Sequence, residues 1–284
     1  MKNPHTHVQV CLNGRTTRLM HPAVPLTARE LAADARRCAT LGVQSLHAHA
    51  RLHDEAETLE PAACAGVVRA IRAVCPRTPI GLTTSLSAEP DPAKRLHLVS
   101  RWEVLPDFVS VNFCEPGTAE LCRLLRERGI PVEAGLATLE DADAFLCSGF
   151  EDACIRVLVE VCDRGEAEAA SRARAIAGML QEAGITLPQV HHGEGPATWA
   201  VLRQAVRLGM ASASALRTRA PARTEARSPA ATRSWPLRRW SWSEGGGRPG
   251  LGIRIGLEDT CTGPDGSPVP GGNAELAAAA LELE

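Results

Sequence analysis

Two histidines stand two positions apart in the segment LHAHARLHDEAETLEP, residues 46–61. In a β-strand, positions i and i+2 share a face, so His47 and His49 would lie about 6 to 7 Å apart along the strand and point the same way. Such a pair suits Zn2+, whose catalytic sites combine imidazole nitrogens with a carboxylate and leave one position open. The alternative is two polar residues satisfied by hydrogen bonds. His53 has the same parity, but we expect it in the following loop, on the surface.

A carboxylate that could complete the site lies near the other end of the chain. In IRIGLEDT, residues 253–260, the side chains of Arg254, Gly256 and Glu258 share one strand face. Charges inside an apolar strand are costly unless they are paired or bound to a metal, so Glu258 is the candidate third ligand. Strict alternation sends Asp259 to the opposite face. It reaches the site only if the strand ends there and the chain turns.

The elements that must position these residues alternate along the chain. Eight β-rich runs separate runs of helical period, and we expect the strands to begin at His7, Ser45, Pro79, Asp107, Pro131, Cys154, Pro188 and Gly252. Several helical runs open on Thr, Glu or Asp and close on Gly, as helix caps do. Eight β-then-α units predict a single α/β domain, a (β/α)8 TIM barrel, rather than an open doubly wound sheet with its glycine fingerprint.

Barrel active sites lie at the carboxyl ends of the strands, where this sequence carries further polar side chains. The hydroxyl groups and the amide there are candidates for binding carboxylate, carbonyl or thioester oxygens, and for each polar residue a hydrogen-bonded place in the barrel interior is the alternative. On the seventh strand, adjacent histidines face opposite ways, so only one of His191 and His192 can line a pocket. The other candidates are Thr83, Thr84 and Ser85 on the third strand, Ser110 and Asn112 on the fourth, and Glu133 on the fifth.

Composition favours a small-molecule ligand. The 284 residues are 44% hydrophobic, enough for a substantial core, and the net charge of −2 gives no pull toward nucleic acid or membrane. The start, MKNPHTHVQVC, lacks an apolar signal, and no stretch approaches the roughly 18 apolar residues of a membrane helix, so a cytoplasmic location is expected. The ten cysteines include no CxxC pair and are expected to be reduced, small buried residues.

An extra segment precedes the last strand. Residues 211–250 hold eight arginines, two glutamates and three of the five tryptophans, without helical or strand period. This composition predicts a disordered insertion or loose surface loop at the amino-terminal face of the barrel, opposite the expected site. A basic arm with interleaved tryptophan also suits nucleic acid, but random-coil insertions are commoner, so no nucleic-acid partner is predicted.

Several motifs together resemble one enzyme family. The segments NGRTTRLMHPAVPLTARELAADA, HAHARLHDEAETLEP, LPDFVSVNFCEPG, VEAGL, HGEG and RIGLEDT, followed by NAEL, resemble the β-keto acid cleavage enzymes of the 3-keto-5-aminohexanoate type. The resemblance runs from about Val8 to Leu281, interrupted by residues 211–250. It implies a zinc-dependent (β/α)8 barrel, expected to form tetramers, that condenses a β-keto acid with acetyl-CoA and releases acetoacetate and a new acyl-CoA.

The resemblance also implies roles for individual residues. His47, His49 and Glu258 match the metal ligands of the family. Arg254 and Asp259 match the pair that assists proton abstraction. Thr83 stands where the family often has Ser, and Ser110 and Asn112 lie on its substrate-contacting fourth strand.

Three positions depart from the family pattern. The Asp usual after the arginine of HxHxRD is Leu52, and the usual Gly in the next turn is Glu55, so hydrogen bonding in this loop must differ. Near the end of the first strand, members acting on amino-bearing substrates carry an acidic residue, and this chain has Arg15. We therefore expect Arg15 to meet a substrate whose far end is neutral or anionic.

Two other functions remain open at this stage. A metal-dependent hydrolase of amidohydrolase type also uses HxH on a barrel, but it places the motif on the first strand and further ligands on middle strands, where this chain has no His. A non-catalytic paralogue is made plausible by Leu52 and the insertion.

Overall fold

The computed structural model describes residues 7–53, 55–162, 165–215 and 251–283. Its strands are β1 His7–Cys11, β2 Ser45–Ala48, β3 Ile80–Thr83, β4 Phe108–Asn112, β5 Val132–Leu136, β6 Cys154–Val161, β7 Gln189–Gly193 and β8 Leu251–Gly256. All neighbours pair in parallel, and β8 returns to β1, which closes the barrel. The predicted (β/α)8 fold is confirmed, and each strand begins within one residue of its predicted start.

The helices surround the barrel in the predicted alternation. They are α1 Ala28–Thr40, α2 Pro61–Val74, α3 Pro92–Ser100, α4 Thr118–Arg128, α5 Leu139–Ser148, α6 Glu166–Glu182, α7 Thr198–Ala215 and α8 Asn273–Leu281. Thr27 and Thr138 form capping boxes at α1 and α5, and α4 and α5 close on Gly129 and Gly149 in the left-handed conformation. Among the described helices, none combines the length and apolar composition needed to cross a bilayer.

The expected insertion, residues 211–250, lies outside the described residues except at its start. There α7 continues to Ala215, so the helix is longer than the sequence pattern predicted. The connection joins the end of α7 to the start of β8. It therefore leaves and enters the barrel at the amino ends of the strands, away from the end where barrel enzymes carry out chemistry.

The core between helices and barrel is apolar, whereas the barrel interior carries charge. Arg156 on β6 forms a fully buried ion pair with Glu133 on β5 and lies 4.5 Å above the ring of Phe108. His7 lies 2.7 Å from the hydroxyl of Ser45. Buried charges need such partners, since an unpaired one would cost several kcal/mol.

The cysteines are free thiols, but not all are buried. Six are buried, whereas Cys114, Cys147 and Cys162 are exposed, contrary to the expectation that all would act as small core residues. None of these three lies within a strand, and exposure there follows from their position in loops or at a helix end.

Candidate metal centre and active site

A cavity of about 490 Å3 opens where the strands end at their carboxyl side. Ten of the twelve residues predicted for a site line this cavity. The lining consists of Arg15, Thr16, Met20, His47, His49, Thr83, Ser85, Ser87, Ser110, Asn112, Glu115, Glu160, His192, Glu194, Arg254, Glu258 and Asp259. Two predicted substrate contacts, Thr84 and Glu133, lie elsewhere.

The three residues predicted as metal ligands come together in this cavity. Ligand atoms of His47, His49 and Glu258 all lie within 4.8 Å of one another. The two imidazole centroids are 5.2 Å apart, and Nε2 of His49 lies 3.2 Å from Oε1 of Glu258. Nδ1 of His47 is buried with no hydrogen-bond partner among the described residues. Two imidazoles and one carboxylate are a donor set that zinc accepts, so the cluster fits such an ion.

Electrostatics at the cluster favour a bound cation. Burial lowers the pKa of His47 well below its usual value, and the charge of Arg254 adds to that effect, so His47 is a neutral ligand. Burial also lowers the pKa of His49, but Glu258 and Glu57 outweigh it and raise that pKa to about 9. The carboxylates thus draw a positive charge to His49, which a proton or a metal ion can supply.

The loop after β2 supports His49 through a carboxylate that the sequence reading missed. Oε1 of Glu57 lies 2.7 Å from Nδ1 of His49, and the hydroxyl of Ser87 donates to Oε2 of Glu57 at 2.7 Å. A carboxylate on the second imidazole nitrogen fixes the tautomer that leaves Nε2 for a metal. Glu57 reaches back because the loop reverses through Glu55, the only non-glycine residue with positive φ (66°) in the described part of the chain.

The departures in this loop do not touch the cavity. Leu52 is 46% exposed and His53 is exposed, so neither lies among the cavity-lining residues. The backbone N–H of Leu52 donates to the carbonyl of Ala56 at 2.9 Å, which helps close the hairpin-like turn. The contact between Glu57 and His49 is therefore present with leucine at position 52.

Asp259 reaches the cavity because β8 ends early. The strand stops at Gly256, and the N–H of Asp259 donates back to the carbonyl of Gly256 at 2.9 Å, forming a turn. This turn releases Glu258 and Asp259 from strand alternation, as the sequence reading required. Nη2 of Arg254 lies 2.8 Å from Oε2 of Glu258, and Nε of Arg254 lies 3.8 Å from Oδ1 of Asp259.

His192 and Glu160 complete the surroundings of Asp259. Nδ1 of His192 lies 3.1 Å from Oδ1 of Asp259, and Nε2 lies 3.4 Å from Oε2 of Glu160. The sequence left the choice between His191 and His192 open, and the structure selects His192. His191 faces the other way and contacts Gln189 at 3.1 Å. Glu160 was missed, although it shares strand parity with Arg156 and follows it by four positions on β6.

The pKa values of Asp259 and His192 are both raised in this cavity. Burial raises the pKa of Asp259, while the charges of His192 and Arg254 act in the opposite direction without cancelling it. Burial and Arg254 lower the pKa of His192, but Asp259 and Glu160 outweigh them and raise it to about 9. Asp259 is therefore a stronger base than an exposed aspartate, and it faces a protonated imidazole at neutral pH.

A polar wall formed by β3 and β4 also lines the cavity. Thr83, Ser85, Ser110 and Asn112 lie on it as the sequence suggested. Asn112 Nδ2 and the Ser85 hydroxyl both donate to Oε1 of Glu115, at 3.0 and 2.9 Å. Glu115 pairs in turn with Arg95 and was not foreseen, because it lies in the loop after β4, outside any periodic pattern.

Thr84 and Glu133 are absent from the cavity for separate reasons. Thr84 alternates with Thr83 and Ser85, so its hydroxyl points elsewhere and donates to the carbonyl of Ser110 at 2.6 Å. Glu133 is engaged by Arg156, and its other oxygen lies 3.8 Å from Nη1 of Arg254. Among the described residues, Glu133 thus reaches the site through Arg254.

Arg15 lines the cavity with a mostly exposed side chain, which places it at the rim. It forms an ion pair with Glu194 at 3.3 Å, with side chains 71% and 48% exposed. An ion pair this exposed contributes at most about 1 kcal/mol, so Arg15 can leave Glu194 for an anionic ligand at little cost.

Comparisons with known proteins identify the family of this chain. A family model described as beta-keto acid cleavage enzyme matches residues 5–283. Similar solved structures include a binary complex of ObcA with oxaloacetate and a ternary complex of ObcA with C4-CoA adduct and oxalate, each with a TM-score of 0.62 and 14% identity over 92% of this chain and 63% of that chain. This chain thus spans less than two thirds of the length of ObcA. No curated protein matches it. By the family match, the chain belongs to the β-keto acid cleavage enzyme family.

Proposed function

We propose that this protein condenses a β-keto acid with acetyl-CoA and cleaves the adduct into acetoacetate and a new acyl-CoA, with Zn2+ held by His47, His49 and Glu258. Family membership supports β-keto acid cleavage. The observation that carries the proposal is the contact between the ligand cluster and the proton-transfer group: Arg254 reaches Glu258 at 2.8 Å and Asp259 at 3.8 Å.

A zinc ion at these ligands would withdraw electron density from the keto and carboxylate oxygens of the substrate and acidify the carbon between them. Asp259 is the base that takes the proton, because burial raises its pKa and it lines the same cavity. Arg254 stabilises the negative charge that then develops on the substrate. His192 holds Asp259 in position through its Nδ1 atom, 3.1 Å away.

The wall formed by β3 and β4 receives acetyl-CoA. Hydroxyl groups of Thr83 and Ser110 and the amide of Asn112 are donors for the thioester oxygen, whose charge increases during attack. The deprotonated carbon attacks the acetyl carbonyl, and the C–S bond of the thioester breaks to expel CoA as its thiolate. This thiolate then adds to the keto carbon of the adduct. Cleavage of the carbon–carbon bond leaves the acyl-CoA, and the proton on Asp259 returns to the departing acetoacetate carbon.

Arg15 favours a substrate with a neutral or anionic far end. Its guanidinium group is exposed, and among the described residues the exposed Glu194 is its ion-pair partner. Oxaloacetate, which is bound in one ObcA structure, is a β-keto acid with a second carboxylate, and another ObcA structure contains a C4-CoA adduct. Dicarboxylic β-keto acids are therefore the first substrates to test.

The test combines metal analysis with a product assay. Purified protein is incubated with acetyl-CoA and a panel of β-keto acids with anionic, neutral and amino-bearing ends, and acyl-CoA and acetoacetate are measured. We expect about one zinc per chain and an acyl-CoA that retains the far end of the keto acid. H47N and E258Q should lose zinc and activity, whereas H97N, at an exposed position on α3, should retain both.

Other outcomes would contradict the proposal. Zinc binding with hydrolysis alone, and no acyl-CoA, would instead support the metal-dependent hydrolase. Absence of both zinc and turnover across the panel would support a non-catalytic paralogue.

A further inference from the structure

We propose that residues 13–16 and Arg51 form a brace that sets the separation of His49 and Glu258 and thereby the affinity of the site for zinc. The inference rests on the proposed metal site and concerns residues that are not ligands. The first contact is between Asn13 and the backbone of His49. Nδ2 of Asn13 donates to the carbonyl of His49 at 2.9 Å, and the N–H of His49 donates to Oδ1 of Asn13 at 2.9 Å.

This pair of hydrogen bonds extends the sheet by one position. Strand β2 ends at Ala48, so His49 has left the regular ladder and needs another partner for its backbone groups. The Asn13 side chain, fully buried, supplies both a donor and an acceptor in place of a strand. His49 is therefore held from β1 and cannot drift with the loop that follows it.

The second contact fixes Glu258 from the same segment. Gly14 has φ of 53°, and a Cβ placed on it would lie 2.0 Å from Cγ of Glu258. The backbone of Gly14 thus packs directly on the side chain of the third ligand. Two residues later, the hydroxyl of Thr16 donates to the carbonyl of Leu257 at 2.5 Å, which ties the segment to the residue before Glu258.

Arg51 locks this segment onto the loop after β2. Its Nη2 donates to the carbonyl of Gly14 and, at 3.2 Å, to that of Thr16, while Nη1 donates to the carbonyl of Glu55. The Arg51 side chain is 5% exposed and lies 3.9 Å from Glu57, the carboxylate that holds His49. One planar guanidinium group therefore joins the support of His49 to the support of Glu258.

The brace matters because two ligands come from strands that β1 separates. His49 follows β2 and Glu258 follows β8, and β1 lies between these two strands and pairs with both. Without cross-links at this level, each ligand would have to be ordered when the metal binds, at a cost in affinity. Groups that orient metal ligands typically contribute about 10- to 100-fold to metal affinity.

The test measures zinc affinity directly, by competition with a chromophoric chelator. R51K removes the planar fork, and T16V removes the hydroxyl while preserving shape; R69K, at an exposed position on α2, is the matched control. We expect both brace variants to weaken zinc binding about tenfold or more and to change the visible spectrum of the cobalt-substituted protein, with R69K unchanged. Far-UV circular dichroism checks that each variant is folded. If R51K does not fold, T16V still tests the brace by itself.

The results separate this inference from the proposed function. If a folded brace variant has the zinc affinity and cobalt spectrum of the wild type, the brace inference is overturned and the proposed metal site is not. Failure of the wild-type protein to bind zinc would overturn the metal assignment and the brace with it.

Discussion

Nδ1 of His192 lies 3.1 Å from Oδ1 of Asp259, so the imidazole directly faces the carboxylate proposed as the base. On its other side, Nε2 of His192 lies 3.4 Å from Glu160. Burial and Arg254 lower the pKa of His192, but the two carboxylates outweigh them and raise it to about 9. The imidazole therefore carries a positive charge between two carboxylates.

We expect H192L to lower kcat by about 100-fold, because Asp259 loses its positioning partner and a nearby charge. H192N keeps a donor near the position of Nδ1 and should lose only about tenfold. Steady-state kinetics with both substrates provide the measurement. Equal losses in H192L and H192N would show that the contact between Nδ1 of His192 and Asp259 is unimportant.

Zinc affinity should rise with pH. In the metal-free protein the pKa of His49 is about 9, because Glu258 and Glu57 outweigh the effect of burial. Below that pH, zinc must displace one proton from His49, so the zinc dissociation constant should fall about tenfold for each pH unit between pH 6 and 8. Calorimetry in buffers of different ionisation enthalpy should count about one released proton. Affinity independent of pH over this range would contradict the proposed role of His49.

Replacing Glu55 with glycine should stabilise the protein. Its φ of 66° is strained for a residue with a Cβ, and relief of that strain is worth about 1 kcal/mol. The lost ion pair with Arg18, at 3.5 Å between exposed side chains, offsets only a small part. E55G should raise Tm by about 2 °C. E55A removes the carboxylate but keeps the strain, so it should not raise Tm. A higher Tm in both E55G and E55A would refute the backbone explanation.

Glu30 should contribute stability that disappears in acid. Burial raises the pKa of its carboxyl, but hydrogen bonds from Thr27, Arg18 and Leu26 outweigh it and lower the pKa to about 2. Since the folded-state pKa lies below the ordinary value, the contribution is full above about pH 4.5 and is lost as the pH falls toward 2. At pH 7, E30Q should lower the free energy of unfolding by at most about 1 kcal/mol, because glutamine can keep the capping box but loses the charge that pairs with the half-exposed Arg18. Urea unfolding at several pH values tests this, and a difference that persists at pH 2 would contradict it.

Reversing the charge at the rim should change substrate preference. R15E should reduce kcat/KM for a β-keto acid with an anionic far end by about tenfold, because an attractive charge becomes a repulsive one. The kcat/KM of R15Q for this substrate should lie between the values for R15E and the wild type. For amino-bearing keto acids, R15E should have a higher kcat/KM than the wild type. An unchanged ranking of substrates in R15E would remove Arg15 from the specificity determinants.

The barrel could be predicted because its signals are local. Hydrophobic runs of strand length and capped helical runs repeat eight times, and the structure starts each strand within one residue of the predicted position. The convergence of His47, His49 and Glu258 also follows, since barrel closure brings strand ends together. The place of Asp259 was conditional on a turn, and the turn after Gly256 is present.

Residues supported by loops or paired across strands could not be placed in this way. Glu57 returns to His49 only because the loop reverses at Glu55, which carries no glycine to signal a turn. Glu133 has the strand parity expected of a cavity residue, but Arg156 on the next strand takes up its carboxylate. Sequence shows which residues face the barrel interior, but it does not show which of them pair with one another.

The three proposed ligands lie in or directly after the second and the eighth strand, which are far apart in the sequence. During synthesis, a chain that has emerged only through β7 offers two histidines and no third ligand, so it cannot hold zinc as the finished barrel does. An ion that binds only the folded form stabilises that form. A bound metal would therefore stabilise the full-length barrel but not truncated products, which would stay open to proteolysis.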